Sequence, residues 1–225
     1  MSSIQVYHRD ENNEETLVAC IDGDLIKRRS KTIRDLIATR SPALIHKVTL
    51  FGPTFDALAF VLTQITEAHN KKKPLDIVPG SRGLLESLHI HRAILCLQIE
   101  PEQIKVPTHI IGYLAHNLIA PDEMVLVYEA YSSIDNSHGK LFTTMLSTTA
   151  WKIANKELSV DQITELKAAA ETISHLDEVL TAKILEVKKM VRVQAIIAKK
   201  KAAKDEKRRA AEVAAATAWA DDAGW

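Results

Sequence analysis

At 225 residues, 46% apolar and 26% charged, the chain has the make-up of a globular protein, with room for one sizeable domain plus appendages or for two small ones. Aromatics at 5% leave the core to Leu, Ile, Val and Ala, and only seven Gly and seven Pro argue against a loop-rich or all-β fold. The zero net charge conceals an acidic front, with six acids against Arg9 up to Asp24, and a basic rear from Lys183 to Arg209, where eleven bases face three acids and polyanions are attracted.

Ile4 to Tyr7 and Thr16 to Ile21 are β-rich runs around an Asn/Asp/Glu cluster, which predicts a hairpin ending at Asp22-Gly23-Asp24. Lys27 to Thr39, with Ile26 just ahead of it, carries Ser30, Ile33, Leu36 and Ile37 at helical spacing and stops at Ser41-Pro42. Lys47 to Phe51 reads as a third strand, closed by Gly52-Pro53. A helix is predicted from Thr54 to Asn70, with Leu58, Val61, Leu62 and Ile65 in one stripe and Lys71-Lys72-Lys73 at its negative end. Leu75 to Val78 reads as a short edge strand, and Ser81 to Glu100 as helical, either continuous or as two short helices meeting near Leu88-His89-Ile90. Helices follow over Thr108 to Asn117 and over Pro121 to Tyr131, the second opening on the first-turn signature Pro121-Asp122-Glu123. After a break at Asp135 to Gly139, another runs from Lys140 to Asn155.

The last element has the clearest pattern. Ser159 with Gln162 three residues on is a capping box, and no Gly or Pro occurs from there to about Ala216. Ile163, Leu166, Ala170, Ile173, Leu176, Leu180, Ile184, Val187, Val191, Gln194 and Ala198 recur at a mean spacing of 3.5 residues, the heptad mean, with a stammer-like step at Leu176. Beyond Ala198 the stripe fades into Lys, Ala and Arg, as in a solvated helix. Two of the three tryptophans, Trp219 and Trp225, stand in the small, acidic terminus that follows, where an exposed Trp suits an interface anchor.

Chemistry is sparse. Cys20 and Cys96 sit in apolar runs without metal-type spacing and read as buried free thiols. His89 and His91 are two apart on a helix and point about 200° apart, while His109 and His116 have no ligand-spaced carboxylate or thiol beside them. Glu100 and Glu102 flank Pro101 in a turn, and no phosphate-binding, hydrolase or zinc-protease signature occurs. Lys199 to Arg209 offers phosphate contact without an aromatic residue to stack on bases. The amino terminus lacks an apolar signal core, and no apolar run approaches the ~18 residues of a membrane span. The expectation is a soluble protein, cytoplasmic and/or nuclear, with no membrane association.

Residues 3–100 resemble the BTB/POZ fold, in particular its short branch of cullin-ligase adaptors of the S-phase-kinase-associated and elongin C type. Ser3 to Tyr7 is similar to that branch's opening strand. Asp24 to Ile37 is similar to its first helical pair, in which a Ser precedes an apolar helix. Val48-Thr49-Leu50 with Phe55 to Ile65 is similar to the next strand and helix, and Leu84 to Ile90 with Ala93, Cys96 and Leu97 to the closing helices. The tryptophan-bearing helix that grips F-box partners is not recognisable, and Thr39-Arg40-Ser41-Pro42 stands where that branch has an acidic loop.

The expected fold class is therefore α+β, mostly helical. It comprises a BTB/POZ-like module over 1–105, a helical extension over 106–157, a long basic helix with coiled-coil character over 158–216, and a flexible tail over 217–225. The expected function is non-enzymatic protein–protein interaction or assembly, through a protein partner and/or self-association. The interaction residues are Ile173, Leu180, Ile184, Val187, Val191, Trp219 and Trp225, and no catalytic, cofactor or metal residue is assigned. The alternative is a basic-tailed nucleic-acid or ribonucleoprotein-associated factor making weak contact through Lys199 to Arg209.

Overall fold

The computed structural model describes residues 3–39, 46–103, 105–132, 139–173 and 175–222, with side chains described up to Glu212 except at Gly139. The chain divides into two compact units, Met1–Met145 and Leu146–Trp225. The described residues are mostly helical, with one small sheet and a long C-terminal helix, an α+β composition.

The first unit opens with β1 (Ser3–Arg9) antiparallel to β2 (Glu15–Asp22), the predicted hairpin. Its turn is held by Asp10, whose carboxylate accepts from the N–H groups of Asn12 and Glu14. β3 (Lys47–Phe51) lies parallel to β1 on the other side, giving the order β2-β1-β3. A parallel neighbour needs a crossover, and helices α1 (Gly23–Arg29) and α2 (Lys31–Ala38) supply it. Ile4, Val6, Ile21, Val48 and Leu50 form the buried sheet face.

Lys27 to Thr39, read as one helix from its spacing and as part of a helical pair from the resemblance, belongs to two helices joined at Ser30. Ser30 is extended, at φ −120° and ψ 114°, and ends one helix while capping the next. Its hydroxyl oxygen accepts from the Ile33 N–H at 3.1 Å and donates to the Leu97 carbonyl at 2.6 Å, all buried. A hydroxyl so placed satisfies an orphan helix donor and a distant carbonyl together, which periodicity alone does not reveal. The Ser41-Pro42 stop lies outside the described residues.

Helix α3 (Phe55–Asn70) is capped by Thr54 and buries Leu58, Val61, Leu62 and Ile65, as its spacing predicts. Leu75 to Val78 is not a strand. Leu75 and Ile77 are buried, but the Ile77 N–H donates to the side-chain oxygen of buried Gln103 at 2.8 Å, so a side-chain amide replaces a neighbouring strand. Helix α4 (Leu84–Leu97) is continuous, so of the two readings of this helical stretch the unbroken one forms. It buries Leu84, Ser87, Leu88, Ile90, His91, Ala93, Ile94 and Leu97, more than one face, and that wide burial blurs the single stripe a surface helix would show. Helix α5 (Lys105–His116) starts earlier than Thr108 because Pro107 falls in its first turn, where its missing N–H costs nothing. Helix α6 (Pro121–Tyr131) has the predicted bounds, and α7 (Gly139–Ala154) carries the chain into the second unit.

The open sheet face explains a further departure. Cys20 pairs with Gln5 on the face opposite Ile4 and Val6, so it is exposed rather than buried. Cys96 is half-buried, and desolvation raises its thiol pKa. On the same open face Glu15 accepts from Lys47 Nζ at 2.5 Å, from Thr49 at 3.2 Å and from Arg9. Lys47, then Arg9, lower the Glu15 carboxyl to about 2. Its folded value lies below its unfolded value, so its contribution is present above pH 4.5 and is lost as pH falls through about 2. Glu15→Gln should therefore lower the melting temperature at pH 7 and leave it unchanged near pH 2. Equal lowering at both pH values would show that the carboxylate charge is not what holds this network.

Candidate interaction surface

The second unit is built around α8 (Val160–Glu171) and α9 (Leu176–Asp222). The predicted capping box at the start of α8 is present: Gln162 N–H donates to Ser159 Oγ at 3.2 Å, and Ser159 N–H donates to Gln162 Oε1 at 2.9 Å. One helix over 158–216 is, however, not what forms. Thr172 ends α8, its hydroxyl donating to the Ala169 carbonyl at 2.7 Å, and His175 takes the left-handed conformation at φ 70° before α9 begins. No Gly or Pro marks this corner; the stammer-like step between Ile173 and Leu176 is its only trace.

The corner lets α9 turn back and pack on α8. Leu166 and Ala170 of α8 and Leu176, Leu180, Ile184 and Val187 of α9 are buried. Of the predicted interaction residues, Leu180, Ile184 and Val187 thus serve the interior, while Ile173 in the corner and Val191 are half-buried. The backbone of Trp219 lies within α9, which continues through residue 217 to Asp222 instead of giving way to a tail. Trp225 lies outside the described residues.

Burial along α9 ends abruptly. From Arg192 to Glu212 every residue except half-buried Asp205 is exposed. Four large apolar side chains fall at or beyond that limit: Met190, Val193, Ile196 and Ile197 are 44%, 54%, 54% and 59% exposed. Reading the 3.5-residue repeat passes over them because they lie beside that seam; a tally of each helical face would have found them. Lys199 to Arg209 follows on the same solvated helix, with the Arg208 to Glu212 pair at 3.6 Å offsetting little of its charge.

The first unit has a cavity of about 350 Å³ lined by Thr54, Asp56, Phe60, Arg82, Glu86 and His89 among others. Arg82 stacks 4.2 Å above the Phe60 ring and donates to the Pro79 carbonyl at 2.9 Å. Burial, then Arg92, lower the His89 pKa, and its Nδ1 is buried without a hydrogen-bond partner among the described residues. With both charge signs present and Arg82 already engaged, the lining defines no single ligand chemistry. His91 is buried elsewhere, its Nδ1 2.8 Å from the Tyr131 hydroxyl, and the two rings stack at 5.5 Å. Burial pushes the Tyr131 phenol well above its ordinary value, so it stays protonated. Among the described residues no three His, Cys, Asp or Glu side chains gather as metal ligands, and no helix is long and apolar enough to cross a membrane.

The chain matches no protein-family model, no curated protein and no solved structure.

Proposed function

We propose that this protein is a non-enzymatic assembly factor, a BTB/POZ-like module joined to a helical arm that holds a protein partner. The carrying observation is the stretch of α9 from Met190 to Ile197, where four large apolar side chains stand exposed at or beyond the point at which burial along the helix ends. Exposed apolar side chains clustered on one element mark interaction sites, whereas single ones scattered over a surface do not. The BTB/POZ-like reading is supported by the element order, two strands, a helical pair, a strand and two helices within residues 3–97. It is also supported by Ser30 preceding the apolar helix α2. A cytoplasmic or nuclear location belongs to the same proposal.

The second reading, a factor contacting nucleic acid, has in its favour the exposed bases from Lys199 to Arg209. Affinity purification of the full chain, with nuclease and high salt in one arm, separates the two. A protein partner held by apolar contact stays bound in both arms, because only phosphate contacts weaken steeply with salt. Loss of everything bound after nuclease and salt would overturn the assembly reading and favour the second.

A further inference from the structure

We infer that Arg28, Arg29 and His69 form a binding site for a phosphate monoester in the first unit. With buried Leu25 they line a cavity of about 280 Å³. The arginines come from the last turn of α1 and His69 from the last turn of α3, two helices that touch. Bases at the end of a helix suit its dipole, but that preference does not bring a histidine from a second helix to the same cavity. No carboxylate lines it.

Most of the donors in this cavity are available. Arg28 Nε donates to the Asp24 carbonyl at 3.1 Å, and its terminal nitrogens have no partner among the described residues. Arg29 Nη1 reaches only the Glu100 carbonyl, at 3.5 Å. Neither guanidinium forms an ion pair, and the His69 ring makes no hydrogen bond, among the described residues. The carboxylates on adjoining turns lie elsewhere: Glu100 pairs with Arg34 at 3.5 Å, Glu67 pairs with Lys71 at 2.6 Å, and Asp24 is exposed without an ion pair. Lys72 and Lys73, just past the end of α3, are exposed and likewise unpaired among the described residues, so the surroundings are positive too.

Charge selects the ligand class. A phosphate monoester carries about −1.5 to −2 near neutral pH and presents several terminal oxygens, which two guanidinium forks match in charge and in donors. A carboxylate or a single phosphodiester brings only about −1 and fewer free oxygens. The volume lies just below the ~300–1,000 Å³ of sites that enclose whole small molecules, so the phosphate enters and the rest of the ester stays outside. A nucleic-acid base finds no Phe, Tyr or Trp in the lining to stack on. The ester is either a free metabolite or a phosphorylated side chain of another protein.

The test follows the arginine side-chain resonances of the full, isotope-labelled chain by nuclear magnetic resonance. The probes are glycerol 3-phosphate, a degenerate phosphoserine peptide mixture with its unphosphorylated counterpart, acetate, a single-stranded oligonucleotide, and vesicles of phosphatidylserine in phosphatidylcholine. Both monoesters should bind, and acetate and the unphosphorylated peptides should bind about tenfold more weakly or worse. Tighter binding of the phosphopeptides assigns the site to a phosphorylated protein, and binding of glycerol 3-phosphate at least as tight assigns it to a free ester; either result supports the site. Arg28→Gln with Arg29→Gln should lower affinity for the monoesters about tenfold or more. Arg28→Lys with Arg29→Lys keeps the charge without the forks and should fall between that variant and the parent. His69→Gln, at an exposed position on the other helix, should weaken binding with the melting temperature in place, so the inference stays testable even if the arginine pair perturbs α1. Lys72→Gln with Lys73→Gln should matter less, and mainly at low salt. Absence of monoester binding, equal binding of acetate, or tighter binding of oligonucleotide or vesicle would overturn the inference. So would indifference to the arginine and histidine variants, or an equal loss from the Lys72 and Lys73 pair, which would mark a diffuse basic surface.

Discussion

Leu180→Asp is expected to unpack the pair formed by α8 and α9, at a cost of about 4 kcal/mol or more. Leu180 is fully buried, and truncating such a side chain costs about 2–5 kcal/mol before any charge is considered. A carboxylate in its place adds the penalty of an unpaired charge away from water, relieved only by taking up a proton. Thermal melting with far-ultraviolet circular dichroism should show early loss of helix. The matched control is Ile197→Asp, the same change on the same helix at a 59% exposed site, where melting should stay within about 0.5 kcal/mol of the parent. The contrast separates two faces of one helix: Leu180, in the apolar repeat, stabilises the chain, whereas Ile197, beside that repeat, stands exposed. Equal melting of the two variants would mean that α9 does not pack on α8 through Leu180.

Tyr131→Ala should destabilise the first unit by about 3–5 kcal/mol, the range for deleting a fully buried aromatic side chain. Tyr131→Phe keeps the ring and removes only the hydroxyl that lies 2.8 Å from His91 Nδ1, so its cost should be about 1–3 kcal/mol. The ordering decides the interpretation. If the Phe variant matches the parent, the hydroxyl contact between α4 and α6 contributes nothing and packing alone holds Tyr131. If it matches the Ala variant, the buried hydrogen bond dominates. Urea titration with an unchanged slope would confirm that stability, not the extent of unfolding, has moved.

Much of the first unit was legible because its signals are local. The hairpin, β3, the Leu58 to Ile65 stripe and the bounds of α6 each follow from period, turn residues or a first-turn Pro within a few positions. Misread elements are those where a distant partner decides. Leu75 to Val78 has the alternation of a strand, yet Gln103 takes its hydrogen bond. Ser30 divides a helix because Leu97 offers its hydroxyl a buried acceptor. Cys20 sits in an apolar run, but its register opposite Gln5 turns it to the open face.

The surface on α9 divides in the same way. Amino-acid order alone carried the capping box at Ser159, the helical character of residues 160–171 and 176–216, the apolar repeat and the basic run, since each depends on residues within a few turns. Folding decided which parts of that repeat face inward. With His175 in the left-handed conformation, and without Gly or Pro, α9 starts afresh and contacts α8, and the repeat is buried as far as Val187. Met190, Val193 and Ile197 differ from the buried residues in neither type nor propensity. They differ in lying beside the seam rather than in it, where they are exposed among the described residues, and burial is a property of neighbours in space.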